Sequence, residues 1–300
     1  MLKMSSSKNK GINRIELRVY STIKKYDLIE EDDKVLVAVS GGKDSMSLLN
    51  ILSKKYNVDV LFVDVGVKEF SRKSLRVIKE FCNKKGLKVR VVSFKEEVGF
   101  TIQEAFNAGF KPACRYCGVL KRYVINKAAK GYDKVATGHN LDDEVQSILM
   151  NLFKSNIMAN INLGPKTGIL QEKRFVQRIK PLYFIKEEEI ESYAIKNKIP
   201  FVKGACPLRG ETPFRYFIKK RVMELEKKIP KLKDNIIEVF LKYLKDKELI
   251  NGLINEKINK KIWEGQINYC KYCGEPTRGT VCKACELRIK IKEEIRRKER

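Results

Sequence analysis

The sequence predicts a doubly wound, Rossmann-like α/β domain with a helical, basic C-terminal extension and a small four-cysteine module. Three observations carry this expectation. The buried-strand run KVLVAV at 34–39 opens directly into the glycine turn SGGKDS at 40–45 and then a helical pattern. From there to about residue 154, apolar strands alternate with helical periodicities, the signature of parallel strands joined by crossover helices. Near the end of the chain, two CxxC pairs lie too close together for an apolar core to form between them.

Taken in order, Ile12, Ile15, Val19, Ile23 and Tyr26 fall at helical intervals and predict an amphipathic helix to about Ile29, ended by the acidic turn at 30–33. The SGGKDS turn starts a helix carrying Met46, Leu48, Leu49 and Leu52. VDVLFVDVG (58–66) and LKVRVVSF (87–94) read as strands flanking a helix over 71–85. Helices are expected near 101–108, after Cys117 and over 141–154, with KVATG at 134–138 as a further strand. Gly164-Pro165 breaks the loop-rich stretch 156–180, in which FVQRIKPL is a short strand. GACPLRGETP is a loop, and from Phe214 to about Leu249 the pattern is helical and Lys-rich, broken at Pro230. The tail LRIKIKEEIRRKER is a basic helix. The resulting divisions are an N-terminal helix (1–33), the α/β domain (34–212), the helical basic extension (213–265) and the cysteine module with its tail (266–300).

Composition limits the function. Sixty-three Lys and Arg against 37 Asp and Glu give a formal net charge of +26, on a chain whose 43% hydrophobic content is ordinary for a folded protein. Such a charge suits a polyanionic partner, nucleic acid before an anionic membrane, with a Lys-rich proteome as the competing explanation. No apolar run reaches the roughly 18 residues of a membrane span, and a cytoplasmic location is expected. Eight cysteines in a reducing compartment are then metal ligands or reactive thiols before they are disulfides.

SGGKDS between a strand and a helix makes an anion site. Gly41 and Gly42 let the backbone approach closely, Ser40 and Ser45 offer hydroxyls, Lys43 reaches a phosphate and Asp44 follows it. The spacing is neither that of a Walker A loop nor G-x-G-x-x-G. Asp64 and Gly138 are expected on the same carboxyl edge of the sheet, where a nucleotide would lie, with a turn cap as the alternative for Asp64. In TGHNLDDEVQSIL, the single histidine His139 with Asp142 and Asp143 follows a strand end and projects toward the phosphates; the carboxylates there hold Mg²⁺ or orient the substrate, or else cap the helix.

The cysteines form two sets. Cys270-x2-Cys273-x8-Cys282-x2-Cys285 has the spacing of a tetrahedral structural Zn²⁺ site, closed to catalysis. Cys114-x2-Cys117 and the distant Cys206 would leave one metal position open if they converge; otherwise the CxxC is a redox pair or half a zinc site. Cys82, in a helix with Val77, Ile78 and Phe81, is a core residue.

SGGKDS, the CxxCG followed by Lys121 and Arg122, GHNLDDE, the later Cys-Pro loop and the terminal CxxC pairs, in this order, resemble the PP-loop ATP pyrophosphatase superfamily. Within it they resemble the TtcA/TtuA-type tRNA 2-thiolation enzymes, archaeal and eukaryotic cytosolic subgroup, from about Lys34 to Cys285. The resemblance implies a PP-loop that binds ATP with Mg²⁺ and a [4Fe-4S] cluster on Cys114, Cys117 and Cys206, whose remaining iron binds the transferred sulfur. It also implies a tRNA substrate, adenylated at the uridine C2 oxygen with release of pyrophosphate and then thiolated, with position 34 expected and position 54 of the T-loop as the alternative. Lys43 is the expected phosphate contact, Asp143 the metal or substrate ligand and Lys121 a contact to the target base. The sulfur donor is sulfide, a persulfide or a ubiquitin-like thiocarboxylate protein, and a homodimer is expected. Many relatives carry a further N-terminal zinc module, whereas this chain has no cysteine before Cys82. A zinc-containing RNA-binding protein without catalysis is the competing class, but it leaves SGGKDS and Cys206 without a role.

Overall fold

The computed structural model describes residues 13–156, 159–160, 163–167, 176–210, 213–246, 268–277 and 279–299. Its described elements in chain order are α1 (Arg14–Lys25), β1 (Val35–Val39), α2 (Lys43–Leu52), β2 (Val58–Asp64), α3 (Lys68–Lys85), β3 (Val89–Ser93), α4 (Phe94–Val98) and α5 (Ile102–Asn107). There follow α6 (Cys114–Ala128), β4 (Lys134–Thr137), α7 (Leu141–Phe153), β5 (Gln177–Ile179), α8 (Glu187–Lys196), α9 (Pro213–Lys228), α10 (Leu232–Lys245), β6 (Asn268–Tyr269), β7 (Pro276–Thr277) and α11 (Lys283–Glu299).

β1 to β5 form one parallel sheet in the order β3-β2-β1-β4-β5. The chain first winds outward from β1 through β2 to β3, then crosses back so that β4 pairs with the other side of β1, Ala38 opposite Thr137. That reversal opens a crevice beyond the carboxyl ends of β1 and β4. Side-chain alternation divides the strands between two cores. Val35, Val37 and Val39 of β1 and Val58, Val60 and Phe62 of β2 join α1, α2, α3 and α8 on one face. Leu36, Leu61, Val63 and Val135 face the other way, toward α4, α5, α6 and α11. Both faces are covered, as the near-continuous apolar strands require.

The expected helices after Cys117 and over 71–85 begin earlier, at Cys114 and Lys68, and α1 ends at Lys25. Two helices lack a clear signal in the sequence. α4 is a single short turn capped by Ser93, and α8 opens on three consecutive glutamates, Glu187 to Glu189, that read as a solvated acidic run. A third apolar cluster joins α9 and α10 to α7 through Ile218, Val222, Ile237 and Phe240 around Tyr183. The basic extension is thereby packed against the helix that carries Asp143.

The cysteine module is equally integrated: Cys270, Cys282, Cys285 and Ile291 belong to the second core, packed with α6. Asn126 of α6 donates to Glu275 of the module, and Arg288 of α11 donates to the Tyr123 hydroxyl at 3.3 Å. In the first core, buried Glu16 accepts hydrogen bonds from Tyr193 Oη and Lys54 Nζ, both at 2.7 Å, while Asn50 donates to Tyr193 at 2.8 Å. This network fastens α1 and α8 to α2. Tyr193→Phe removes the hydroxyl donor from a carboxylate that is only 3% exposed and should cost about 1–3 kcal/mol in denaturant unfolding; an unchanged midpoint would show that water replaces it.

Candidate functional site

The crevice beyond β1 and β4 is a cleft of about 480 Å³. Its floor is the SGGKDS turn. Gly41 has φ +79, and a Cβ there would lie 3.0 Å from Ser74 of α3, so only glycine allows the turn and the helix to meet. Ser45 Oγ accepts from Ser40 N at 3.1 Å and donates to Gly42 O at 3.0 Å, closing the turn on itself. Gly42 caps α2 without a side-chain bond to its amides, so these amides and the helix dipole face the cleft. Beside this turn, a Cβ at Gly138 would lie 2.8 Å from Ser45 N. The two loops are in backbone contact.

Ser40, Gly42, Asp44, Ser45, Gly138, His139 and Asp143 line the cleft. Asp64 is at the same edge but ties its own turn, accepting from Gly66 N at 2.8 Å, while Val63 and Val65 form the wall there. Asp142, read from the sequence as projecting toward the phosphates, points elsewhere. It is buried, paired with Lys233 Nζ at 2.6 Å, and accepts from Glu187 N at 2.8 Å. Successive residues on a helix point about 100° apart, so only one of two adjacent aspartates can face the cleft. Asn140 is the cap, accepting from Asp143 N at 3.0 Å, and its amide donates to Asp44 at 3.3 Å.

The charges around the cleft were not predicted as a set. Lys43 Nζ donates to Glu187 at 2.9 Å and lies 3.3 Å from Asp44. Arg215 of α9 is 3.5 Å from Asp143. Burial pushes the Asp143 carboxyl above the usual range, and Arg215 works against this. Asp44 is likewise raised by burial, with Lys43 opposing and Asp143 adding to the shift. Arg178 on β5 and Lys180 just beyond it, with Arg122 and Arg215, surround His139, whose Nδ1 meets Thr137 Oγ1 at 2.9 Å. His139 lines the cleft and remains exposed to the solvent there. Desolvation first, then these four cations, drive its pKa down to about 3, so the imidazole is neutral at physiological pH.

Of the three thiols Cys114, Cys117 and Cys206, one lines the cleft. Cys114 and Cys117 occupy the first turn of α6 at i and i+3, on one side of the helix, near its positive end. Cys206 lines the cleft itself. Its loop is held at both ends: Val202 N donates to Gly41 O at 2.9 Å, and Gly210 packs so tightly on Pro112 that a Cβ would lie 2.0 Å from the proline Cβ. The loop therefore links the SGGKDS turn to the CxxC segment. Burial pushes the Cys117 thiol up, Lys121 acts against it, and Cys114 and Cys206 are near enough to add their own charge. Lys121 thus lies near Cys117 and also lines the cleft.

Far from the cleft, Cys270, Cys273, Cys282 and Cys285 offer sulfurs that all lie within 4.8 Å of one another. The Cys273–Cys282 separation of 3.6 Å is close to the edge, about 3.8 Å, of a tetrahedron with ~2.3 Å zinc–sulfur bonds. The four sulfurs fit a closed tetrahedral metal site.

An anion-binding turn at the switch point of a parallel sheet, faced by a carboxylate and by a thiol, defines a nucleotide-dependent group-transfer enzyme. A family model described as a PP-loop domain matches residues 13–226. The chain is 37% identical to the tRNA-5-methyluridine(54) 2-sulfurtransferase of Pyrococcus horikoshii, over 91% of this chain and 84% of that protein. It is 36% identical to the enzyme of the same name in Thermotoga maritima, over 93% and 88%. Among solved structures it resembles the U34-tRNA thiolase NcsA from Methanococcus maripaludis with its [4Fe-4S] cluster, at TM-score 0.74 and 28% identity, covering 91% of this chain and 85% of that one. The chain belongs to the PP-loop family of tRNA 2-sulfurtransferases, and no described helix is long and apolar enough to cross a membrane.

The histidine makes a pH prediction. An imidazole whose pKa is lowered on folding binds fewer protons folded than unfolded below its ordinary value near 6.5, so it destabilises the fold as pH falls below that value and has no effect above it; because His139 is exposed to solvent, the effect is small. Relative to His139→Gln, the wild type should lose unfolding free energy below pH 6.5, with the difference constant above pH 7. Parallel stability curves would contradict the assignment.

Proposed function

We propose that the cleft activates a tRNA uridine with ATP and that Cys114, Cys117 and Cys206 deliver the sulfur. The observation that carries this reading is the Cys206 loop, bound at one end to the SGGKDS turn and packed at the other on the CxxC segment. The uridine C2 oxygen attacks the α-phosphorus of ATP and pyrophosphate leaves, while the N3 proton is lost. A sulfur nucleophile at the level of hydrosulfide then adds at C2, AMP carries the oxygen away, and the proton returns to N3. The loose charge of the first step needs positioning more than covalent chemistry. The α2 amides, Ser40, Ser45 and Lys43 meet the phosphates, Asp44 and Asp143 would hold a Mg²⁺ that neutralises phosphate charge, and the apolar wall of Val63, Val65 and Phe70 receives the adenosine. Asp64 supports that wall through its turn. Lys121, on the cleft lining near Cys117, contacts the target base.

Three converging thiols fit a [4Fe-4S] cluster with one iron free of protein ligands. When bound, such a cluster supplies an open Lewis-acidic iron at which sulfur stays deprotonated and nucleophilic. Cys114 and Cys117 would hold it from one helix turn, and Cys206 from the loop. The four outer cysteines take Zn²⁺. Sulfide or a ubiquitin-like thiocarboxylate protein would serve as donor, and a homodimer as the assembly.

For the position modified, the 36–37% identity to relatives named for uridine 54 supports the T-loop. The anticodon position 34 is kept as a second reading by the likeness to the U34-tRNA thiolase. Nucleoside mass spectrometry of single purified tRNAs from a deletion strain decides: 2-thiouridine missing only from the T-loop supports 54, missing only from the anticodon supports 34, and missing from neither rejects the thiolase reading. A second expectation concerns Gly210→Val, which forces the Cys206 loop off Pro112. After anaerobic reconstitution this variant should carry much less iron per chain than wild type, with zinc content unchanged; full iron loading would reject Cys206 as a ligand.

A further inference from the structure

Lys43 is not free to receive a phosphate. Its ammonium is held at 2.9 Å by one oxygen of Glu187, the first residue of α8, while the other oxygen of Glu187 is held at 2.8 Å by Lys219 of α9. Lys43 and Glu187 are 144 residues apart in sequence, and Glu187 and Lys219 are on different helices. The carboxylate is itself fixed in place. Its backbone N–H donates to Asp142 at 2.8 Å, and Asp142 is anchored by Lys233 of α10, which also pairs with Glu226 at 2.6 Å. One turn before Lys219 on α9, Arg215 reaches Asp143 across the cleft. The basic extension thus places two cations, at i and i+4, on Asp143, which lines the cleft, and on Glu187, which holds Lys43. Burial alone would raise the Glu187 carboxyl, yet Lys219 and Lys43 bring it down to about 2, so it is ionised throughout the physiological range.

We propose that Glu187 is a positioning residue that holds Lys43 across the mouth of the cleft and competes with the ATP phosphates for it, and that Lys219 sets the strength of this competition from the basic extension. The inference rests on the reading of Lys43 as a phosphate contact. When ATP enters, Lys43 exchanges the carboxylate for phosphate, and Glu187 remains neutralised by Lys219. Two consequences have opposite signs. Removing the charge of Glu187 releases Lys43 from its nearer carboxylate, leaving only Asp44 at 3.3 Å, and also removes an anion that repels the triphosphate. Removing Lys219 leaves Glu187 with Lys43 as its sole lysine partner among the described residues, which strengthens the competing pair and leaves an uncompensated anion beside the phosphates. A purely structural role for the Lys43–Glu187–Lys219 bridge gives no such opposition, since breaking either half would loosen the same contact.

The test is calorimetric titration of Mg²⁺-ATP into the full-length chain without tRNA, for wild type, Lys43→Met, Glu187→Gln, Lys219→Met and the Glu187→Gln/Lys219→Met double variant, with thermal melting of each. Glu187→Gln is expected to lower the ATP Kd by about three- to fivefold and Lys219→Met to raise it by about threefold, the range that half-exposed pairs carry. The double variant should match Glu187→Gln, because Lys219 acts only through that carboxylate. Equal or weakened ATP binding in Glu187→Gln, with Lys43→Met weakened, would overturn the competition while leaving the phosphate reading intact. ATP binding unaffected by Lys43→Met would overturn that underlying reading, and the competition with it. If the two single variants shift Kd in the same direction, the bridge is structural and the proposal fails.

Discussion

Everything in the cleft depends on the backbone contact between the ends of β1 and β4. Parallel pairing brings Ala38 opposite Thr137, and the absence of a side chain at Gly138 lets the loop after β4 lie against the first amides of α2. A Cβ at 138 would collide with the backbone of Ser45, and at 41 it would crowd Ser74 while φ is positive. The phosphate turn, His139 and Asp143 are neighbours because two glycines allow it. The switch in winding direction at β1 is what opens the crevice there and at no other strand pair of the sheet.

The same economy of contact explains how thiols from two distant segments come within electrostatic reach of each other. α6 places Cys114 and Cys117 on one side of its first turn without help from the rest of the chain, since i and i+3 share a face. Cys206 arrives on a loop with no regular structure, held by one backbone hydrogen bond to Gly41 and by Gly210 against Pro112. Nucleotide turn and thiols therefore share one connecting segment. An adenylated base and the sulfur that attacks it can then be kept a short distance apart.

Electrostatics divide the surroundings of the cleft into two halves. Near β5, Arg122 and Arg178 lie near a neutral His139, while Lys180 beside them is paired with buried Glu144 at 2.8 Å. Near α8 and α9, each cation is matched by a carboxylate: Lys43 and Lys219 with Glu187, Arg215 with Asp143, Lys233 with Asp142 and Glu226. Much of the +26 net charge is displayed elsewhere on the surface, on helices and on the flanks of the four-cysteine module, where it suits an RNA partner.

The strands of the sheet, the SGGKDS turn, the CxxC set and the four-cysteine module were legible in the sequence because each is written in local order: apolar runs bounded by glycine, or ligand residues at fixed spacing. The family resemblance followed from the same order of motifs. α8 was not legible, since three glutamates at a helix start look like any solvated run until their partners are known. Asp142 and Asp143 could not be told apart, because adjacent positions differ only in which way the helix is turned, and that is set by Leu141 and Val145 packing into the third core. Glu187, Lys219 and Arg215 became part of the site only when α8 and α9 docked on α7. Sequence by itself determined the elements, the anion turn and the metal-ligand spacings, since these depend on neighbours within a few residues. Which carboxylate faces the cleft, which cation it meets, and whether Cys206 comes near Cys117 were decided by tertiary packing alone, because each depends on a contact between segments that only the folded chain brings together.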